Sequence, residues 1–272
     1  MRRLLRPEVK KVGHAGTLDP FATGLLIVLV GRATRLARFF VDLPKEYVGT
    51  VRFGLTSDTG DCTGELSPTG RSASLEEVSA VLPRFIGHVT QTVPMTSAVK
   101  VDGERLYKKA HRGEVVATPT KEVEISSIDA LAFDAEAQTM LARVVCSKGT
   151  YVRQLAIDIG AAVGAGAYLE ELARAAIGPF RLEDAQSLAE FEGAVTARAD
   201  GDERIPGLVT PDRALQFLPA LEIGAAQVAG VRNGARLSSG PQETARVVHR
   251  GELLAVYGPS DDGRGLKLMV ML

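Results

Sequence analysis

The apolar stretches of this 272-residue chain are short. The most apolar of them, residues 24–30 (GLLIVLV), is far below the roughly 18–20 residues that a membrane-spanning helix needs. It is predicted instead to form a buried strand. Residues 45–54 (KEYVGTVRFG) are predicted to form a second strand, in which apolar and polar residues come closer to alternating. We therefore expect a fold of short strands packed against helices.

Predicted helices and strands follow one another without regular alternation. Helices are expected at residues 31–40, at 75–88 behind a Ser74/Glu77 capping box, after Thr150 as N-cap, and at 224–232. Further strands are expected at residues 119–131, at 138–147, and in short pieces between 213 and 272. Because strands outnumber helices and are not separated by them one by one, the predicted fold class is α+β.

An acidic stretch that contains Gly and Pro, residues 199–212 (ADGDERIPGLVTPD), is typical of a linker. It predicts one domain at residues 1–205 and a small β-rich domain at residues 206–272. The formal net charge is only −1, but residues 1–11 and 97–121 are locally basic. Such patches permit a polyanionic partner, although they are more often simply solvated surface.

Cysteine and histidine are too sparse for a disulfide framework or a metal site. Cys62 and Cys146 have no metal-ligand spacing, and neither has any pair of the four histidines. The basic N-terminus lacks the apolar core of a signal peptide. We therefore expect a cytoplasmic protein without a metal.

Asp19 stands in an unusual turn, KVGHAGTLDP (11–20), directly before the apolar stretch. Pro20 favours an extended backbone at Asp19, and Gly13 and Gly16 allow the loop a tight path. The carboxylate would then be presented at the edge of a rigid strand, in a position to take part in chemistry. The alternative is a common Asp-Pro turn in which Asp19 bonds its own backbone.

Three other side chains have two interpretations each. Tyr47 is either a half-buried packing residue of its strand or, if it faces a pocket, a ring that stacks on a base. Tyr151 and Arg153 fall at the start of a helix, where Arg153 is either solvated or paired with a buried carboxylate that it holds ionised. Residues 94–113 are basic and turn-rich, as expected of a loop that contacts phosphates.

Six segments carry a resemblance to a known family. They are GHAGTLDPFATGLL (13–26), KEY (45–47), TSDTGDCTG (56–64), SAVKVDGERLY (97–107), SKGTYVRQL (147–155) and LARAAIGPF (172–180). In this order they resemble the tRNA pseudouridine synthases of the TruB type, and the first, a long run of mixed residue types, is the most specific. The resemblance implies a catalytic domain with a mixed, mainly antiparallel sheet. It matches residues 206–272 only loosely, where the family carries a small PUA-like RNA-binding domain.

The resemblance also implies a site. Asp19 would be the catalytic aspartate, and Tyr47 would stack on the flipped uracil. Tyr151 and Arg153 would line the pocket, with Arg153 paired to Asp19.

More peripheral roles follow from the same resemblance. Leu172 corresponds to an apolar pocket residue, and His14 to a histidine that helps to hold the reorganised T-loop. The RNA-contacting loop would span about residues 94–121. The expected phosphate contacts are Lys11, Lys100, Arg105, Lys108, Lys109 and Arg112.

The implied reaction converts the T-loop uridine at position 55 of tRNA to pseudouridine. It breaks the N1–C1′ bond, turns the uracil and rejoins it through C5, so no cofactor is expected. A carboxylate suits this reaction as a nucleophile or as a stabiliser of positive charge on the sugar carbon. The expected partner is the T-arm of tRNA, with no membrane, no obligate protein partner and a monomeric enzyme.

The chain also departs from the family pattern. Members usually begin with a strand segment ahead of a helix that ends here at Lys11, whereas Met1 falls inside that helix. Either the start is misassigned or the protein is truncated, and because the downstream motifs are intact we expect the true start to lie upstream. His111 and Ala175 stand where arginine and threonine are common, and we expect these differences to affect RNA contacts at most.

Two other functions stay open from the sequence. A tRNA-binding protein without catalysis could use the same scaffold, but it would not need Asp19. A synthase that modifies rRNA with guide RNA and accessory proteins would share the Asp19 motif. The SAVKVDGERLY segment and the short tail favour the stand-alone tRNA enzyme.

Overall fold

Strands dominate the computed structural model of the chain, which describes residues 1–5, 9–114, 116–198 and 205–272. The strands are β1 Val12–His14, β2 Thr23–Gly24, β3 Val28–Val30, β4 Lys45–Phe53, β5 Leu55–Ser57, β6 Leu66–Pro68, β7 Gly87–Thr92, β8 Lys100–Val101, β9 Glu104–Arg105, β10 Thr120–Asp134, β11 Thr139–Cys146, β12 Ala167–Ile177, β13 Phe180–Arg181, β14 Ala220–Glu222, β15 Ala245–His249, β16 Glu252–Pro259 and β17 Leu266–Met271. The α-helices are α1 Ala37–Val41, α2 Leu75–Val81, α3 Leu106–His111, α4 Val152–Val163, α5 Leu188–Thr196, α6 Pro211–Ala214 and α7 Ala225–Arg232. Short 3₁₀ helices cover Gly31–Leu36, Leu82–Phe85 and Leu182–Asp184. The predicted α+β class is confirmed.

The described residues divide into two compact units. Unit 1 comprises Met1–Ala15, Ile27–Phe39 and Ala185–Leu272, and unit 2 comprises Gly16–Leu26 and Phe40–Asp184. The linker was predicted at residues 199–212, of which 199–204 lie outside the described residues. The predicted division into residues 1–205 and 206–272 stays a prediction.

Unit 2 is built on a mixed sheet. In its described part the strand order is β13-β12-β4-β11-β10-β7, with β2 joined to β12. The pairs are antiparallel except β2 with β12, which is parallel, so the predicted mainly antiparallel sheet is confirmed. Val51 and Phe53 of β4 are buried in one cluster with Leu155 and Ile159 of α4. Each side chain of this size contributes roughly 1.5–3 kcal/mol by leaving water.

The strands predicted in unit 2 and the helix predicted at residues 31–40 are largely present. The strands expected at 45–54, 119–131 and 138–147 correspond to β4, β10 and β11. The helix expected at 31–40 begins as a 3₁₀ helix and continues as α1. Strand β12, which the sequence pattern did not reveal, lies between β4 and the edge strand β13 and also pairs with β2.

The apolar stretch at residues 24–30 is not the single buried strand that was predicted. It is divided between β2 and β3, and Leu25 and Leu29 are buried whereas Leu26 is exposed. Gly24 has a φ of +103°, and a Cβ added there would lie 2.4 Å from the carbonyl oxygen of Arg174. Strand β2 therefore runs so close beside β12 that only glycine fits at position 24, where β2 ends.

The helix predicted at residues 75–88 is shorter than expected. Its capping box is present, because the Glu77 amide donates to Ser74 Oγ at 3.2 Å and the Ser74 amide donates to Glu77 Oε2 at 2.9 Å. Helix α2 then gives way to a 3₁₀ turn that contains Pro83, whose missing N–H cannot continue a helix. Gly87, with a φ of +96°, starts β7.

The helix predicted after Thr150 is present as α4, but the Thr150 cap was wrong. Tyr151 occupies the N-cap position without a side-chain capping bond, and the Thr150 hydroxyl donates to the Ser147 carbonyl at 3.0 Å. The backbone of Tyr151 is held by Gln91 of β7 instead. Its amide donates to Gln91 Oε1 at 2.9 Å, and Gln91 Nε2 donates to its carbonyl at 3.2 Å. Strand β7 therefore sets where α4 begins.

The C-terminal part of unit 1 forms a second sheet. In the described residues its order is β14-β15-β16-β17, and α7 follows β14, so the predicted β-rich C-terminal region is confirmed. Tyr257 lies fully buried in its core, where the phenol donates to the carbonyl of Ala235 at 2.9 Å. That this region is PUA-like stays a prediction.

Candidate active site

Asp19 lies in a loop of residues 16–26, which we call the Asp19 loop. The Ala22 amide donates to the Asp19 carbonyl at 3.0 Å and closes a turn. The turn therefore uses the backbone of Asp19, not its side chain. The carboxylate is 34% exposed, so it is available both to a side chain of the same protein and to a substrate.

The partner of this carboxylate is Arg153 in the first turn of α4. Arg153 Nε donates to Asp19 Oδ2 at 2.9 Å, and Nη2 donates to Asp19 Oδ1 at 3.0 Å. A bidentate Arg–carboxylate pair is stronger and more directional than a single ionic contact. Since the arginine side chain is only 3% exposed, it fixes the rotamer of the more exposed Asp19.

Every N–H donor of the Arg153 guanidinium forms a hydrogen bond within the protein. Nη1 donates to the Thr59 carbonyl at 3.1 Å and to the Thr96 hydroxyl, and Nη2 donates to the Thr96 carbonyl at 3.3 Å. Together with the two bonds to Asp19, these contacts occupy all five N–H groups of a guanidinium. The orientation of Arg153 is therefore set by three separate segments of unit 2.

Asp61 is a second carboxylate at the same arginine, and the sequence analysis did not identify it as a site residue. Asp61 Oδ2 lies 3.4 Å from Arg153 Nη1, and its side chain is buried. Its Oδ1 accepts hydrogen bonds from the Thr59 hydroxyl at 2.9 Å and the Thr63 amide at 3.0 Å. Asp61 belongs to the TSDTGDCTG segment, so a signal was present, but the contact with Arg153 joins distant parts of the chain.

Tyr47 and Tyr151 keep neutral phenols in this environment. Burial raises the pKa of Tyr47, and the opposing positive charge of Arg174 has the smaller effect. Burial also raises the pKa of Tyr151. Both rings can therefore act as uncharged stacking or hydrogen-bonding groups across the neutral pH range.

Leu172 lies on β12 beside Gly49 of β4 and is buried in the core of unit 2. A Cβ at Gly49 would lie 3.2 Å from Leu172 Cδ1 and 2.8 Å from the Glu171 carbonyl oxygen. The sheet is thus packed very closely at this point. A neighbouring apolar cavity that Tyr47 and Gly49 line measures about 10 Å³, which is too small for a uracil ring.

Residues 2–152, more than half of the chain, match the family described as TruB family pseudouridylate synthase (N terminal domain). This chain belongs to the TruB family. The family predicted from the sequence is therefore confirmed.

Relatives match almost the whole chain. A protein of Dechloromonas aromatica named tRNA pseudouridine synthase B is 40% identical over 265 residues, which cover 96% of this chain and 86% of the relative. A protein of the same name from Cupriavidus metallidurans is 39% identical over 266 residues, which cover 97% of this chain and 82% of the relative.

Solved structures share the fold. One is described as "Crystal Structure of a Cbf5-Nop10-Gar1 Complex" and matches with a TM-score of 0.73 and 23% identity, covering 100% of this chain and 78% of the other. Another is described as "Structure of H/ACA RNP bound to a substrate RNA containing 2'-deoxyuridine". It matches with a TM-score of 0.72 and 21% identity, covering 99% of this chain and 78% of the other. At these identities the likeness concerns the fold.

In this TruB-family chain, Lys11 and His14 lie in unit 1. His14 is exposed at the end of β1, where it pairs with Val28 of β3. Lys11 borders a groove of about 440 Å³, which is lined by Val9, Lys10, Lys11, Gly31, Arg32, Thr34 and Arg35. This described lining carries cations without a carboxylate, so the groove suits an anionic chain.

The basic loop, residues 94–121, is folded in the part that the structure describes. Strands β8 and β9 form a hairpin at Asp102 and Gly103, whose positive φ values of 54° and 81° are those of a tight hairpin turn. Helix α3 follows and buries Leu106. The predicted loop contacts are therefore carried by a defined hairpin and helix.

The predicted phosphate contacts in the basic loop are of two kinds. Arg112 is held by carboxylates, because Nη1 and Nη2 each lie 2.8 Å from Glu104 and Nε lies 2.6 Å from Glu114. Lys109 lies 3.7 Å from Asp102. The remaining cations, Lys100, Arg105 and Lys108, are exposed and form no ion pair with a described residue.

Residues 1–5, 9–114, 116–198 and 205–272 include no group of His, Cys, Asp and Glu side chains arranged to hold a metal ion. The same ranges contain no helix with the length and apolarity of a bilayer-crossing segment.

Proposed function

We propose that this protein converts the uridine at position 55, in the T-loop of tRNA, to pseudouridine, with Asp19 as the nucleophile. The observation that carries the proposal is the accessible Asp19 carboxylate, which a buried and fully bonded Arg153 grips in a bidentate pair. Family membership and the name shared by the relatives, tRNA pseudouridine synthase B, support the same reaction.

The proposed chemistry is balanced without an oxidant or a reductant. An Asp19 oxygen forms a bond to C1′ of the ribose while the N1–C1′ bond breaks and the electron pair leaves with the uracil. The uracil turns, C5 bonds to C1′, and the carboxylate is released. The proton on C5 is lost and a proton is gained at N1, so the product is an isomer of the substrate.

Arg153 supports this step by holding the Asp19 carboxylate in one rotamer through two hydrogen bonds. This removes the entropy of orienting the nucleophile. Asp61 has a supporting part in the proposal. It stays buried against Nη1 and anchors the far side of the guanidinium.

Access to C1′ requires the uridine to leave its stack, which costs a few kcal/mol. We propose that Tyr47 stacks on the extruded base and offsets roughly 1–3 kcal/mol of this cost. Tyr151, which starts α4 beside Arg153, and Leu172 would complete the lining of the base site. His14 would contact the rearranged T-loop.

We further propose that the T-arm of tRNA is the partner and that the enzyme works as a monomer in the cytoplasm without an obligate protein partner. The domain of residues 1–205 would carry catalysis, and residues 206–272 would form the PUA-like RNA-binding domain. In the basic loop, Lys100, Arg105 and Lys108 are the best phosphate ligands because none of them forms an ion pair with a described carboxylate.

The decisive experiment compares wild type with Asp19→Asn on an unmodified tRNA transcript, measuring both pseudouridine and binding. We expect no product from the variant, with tRNA binding retained. The matched control is Asp42→Asn, because Asp42 also pairs with a cation, Lys148 at 2.6 Å, but on an exposed surface. This control should make product at the wild-type rate.

The other outcomes identify the alternatives. Equal product from Asp19→Asn would remove Asp19 from its role. A folded wild type that binds tRNA but forms no pseudouridine would indicate a binding protein. Product only on rRNA with guide RNA and accessory proteins would indicate a synthase that modifies rRNA.

A further inference from the structure

Arg174 is a buried arginine that the proposed reaction does not use. It lies on β12 with 1% of its surface exposed. Its Nε donates to the Leu25 carbonyl at 2.7 Å, Nη2 donates to the Gly16 carbonyl at 3.2 Å, and Nη1 lies 3.5 Å from the Thr17 carbonyl. One guanidinium therefore bonds to both ends of the Asp19 loop.

The charge of Arg174 is not explained by ion pairing. Among the described residues no carboxylate lies within salt-bridge distance of it, and its partners are backbone carbonyls and the Tyr47 phenol. Burying a cation without an opposite charge costs several kcal/mol even after relaxation, and carbonyl dipoles offset only part of this cost. An apolar residue of similar size would fill the same space without that penalty. The guanidinium therefore contributes something that packing alone does not require.

The backbone of Arg174 holds the same loop. The Leu25 amide donates to the Arg174 carbonyl at 2.8 Å, and Gly24 is the register partner of Arg174 in the β2–β12 pair. At the other end of the loop, a Cβ on Gly16 would lie 3.7 Å from Arg174 Nη1. Main chain and side chain of one residue thus clamp the two ends of a short loop, and Asp19 lies between them.

Arg174 also borders the proposed stacking residue. On the β4 side of β12 its register partner is Tyr47, and its positive charge acts on the Tyr47 phenol, whose pKa it lowers against the larger effect of burial. Arg174 is therefore in contact with the loop of the nucleophile and beside the ring proposed to receive the base. The Asp19 carboxylate and the Tyr47 ring must be held at a fixed distance from each other if Asp19 is to attack a base stacked on Tyr47.

We infer that Arg174 is a positioning residue, which sets the placement of the Asp19 loop relative to Tyr47. This inference rests on the proposed function, because it gives Arg174 a task only if Asp19 attacks a base stacked on Tyr47. A misplacement of reacting groups by about 1 Å can cost on the order of 100-fold in rate.

The test uses the full chain with Arg174→Lys, which keeps the positive charge but loses the fork that reaches several carbonyls. Arg174→Met is the second variant and removes both. The matched control is Arg246→Lys in unit 1. Arg246 is likewise largely buried on a strand, and its Nε donates to the Leu218 carbonyl at 3.1 Å.

The measured quantity is the single-turnover rate of pseudouridine formation at saturating enzyme, together with the dissociation constant for tRNA. At saturation this rate does not depend on the fraction of enzyme that is folded, so a merely structural role would not change it. We expect Arg174→Lys to lower the rate about 10- to 100-fold, while the dissociation constant changes less than about threefold. Arg174→Met should lower the rate further, and Arg246→Lys should leave it unchanged.

A second readout is the coupling to Tyr47. If Arg174 sets the distance between the Asp19 loop and this ring, the rate losses of Arg174→Lys and Tyr47→Ala should not multiply in the double variant. Wild-type rates in Arg174→Lys, an equal loss in Arg246→Lys, or strictly multiplicative losses would each overturn the inference. The proposed function fails separately, if wild type itself makes no pseudouridine.

Discussion

Positive charge is used in opposite ways at the Asp19 loop and in the basic loop. Arg153 is buried, lies between two carboxylates and has all its donors bonded. Lys100, Arg105 and Lys108 are exposed and have no described carboxylate partner. A buried, bonded guanidinium is screened by salt much less and cannot move freely, whereas exposed cations are screened over about 8 Å at physiological ionic strength. The first arrangement suits an oriented nucleophile, and the second suits reversible binding of a polyanion.

The comparison is tested most strongly at Arg153. Arg153→Lys keeps one positive charge but cannot form the bidentate pair with Asp19 or reach Thr59 and Thr96 together. We expect the single-turnover rate to fall by about 100-fold or more, because the nucleophile loses its fixed rotamer. The dissociation constant for tRNA should change less than about threefold, as measured by filter binding.

The matched control for Arg153→Lys is Arg143→Lys. Arg143 also pairs with an aspartate, Asp129 at 3.1 Å, but both side chains are exposed. Exposed pairs contribute only about 0–1 kcal/mol, so the control should keep both rate and affinity. A loss of affinity without a loss of rate in Arg153→Lys would remove the distinction between the two regions.

The basic loop should show the reverse pattern with a smaller effect. Replacement of Lys100, Arg105 and Lys108 together by alanine should weaken tRNA binding about tenfold or more at physiological salt. The slope of log affinity against log salt should fall by about 2–3, because up to three phosphate contacts are removed. The rate at saturating enzyme should be kept.

Arg112→Ala is the internal contrast for the basic loop. Its guanidinium is already held by Glu104 and Glu114, so we expect affinity to change less than about twofold and the salt slope to stay the same. Arg112→Ala with an effect as large as that of the triple variant would show that ion pairing does not decide which of these cations bind phosphate.

Lys45 is a cation of a third kind, buried yet without a described carboxylate partner, and it should give the smallest effect. It is 7% exposed, and its Nζ donates to the carbonyls of Val41 and Leu43 at 2.5 and 2.6 Å. Burial, with a further contribution from Arg174, lowers the pKa of Lys45 from 10.5 to about 8. Between these values the unfolded chain binds more protons than the folded one, so the free energy of unfolding rises with pH.

The effect of Lys45 is isolated by comparison with Lys45→Met. Between pH 8 and 9.5 the wild type should gain about 1–2 kcal/mol of unfolding free energy relative to the variant, as measured by urea unfolding at each pH. The gain should be absent between pH 6 and 7, where lysine is protonated in both states. Parallel pH profiles for the two proteins would show that burial does not lower the pKa of Lys45.

Predictions from short contiguous motifs were the most successful part of the sequence analysis. The Ser74/Glu77 capping box and the strands β4, β10 and β11 follow from residues that lie next to one another. Asp19 and Arg153 are 134 positions apart, and no periodicity or spacing predicts their contact. Only the family resemblance implied it.

Side chains whose task depends on distant neighbours were missed. Asp61 and Arg174 both stand in segments that carried the resemblance, yet neither was assigned a role from the sequence. Asp61 matters because Nη1 of Arg153 lies 3.4 Å away, and Arg174 because the Asp19 loop folds onto β12. Such contacts form between segments that local patterns treat independently.

By itself, the sequence determined the α+β class, the long strands β4, β10 and β11 and the turn that contains Asp19, because hydrophobic alternation, capping and turn chemistry act over a few residues. Only the tertiary structure decided where the apolar stretch after Asp19 is interrupted. Gly24 passes so close to the Arg174 carbonyl that no side chain fits, and Arg174 then bonds to both ends of the loop. This arrangement depends on the pairing of β2 with β12, which brings together residues that lie far apart along the chain.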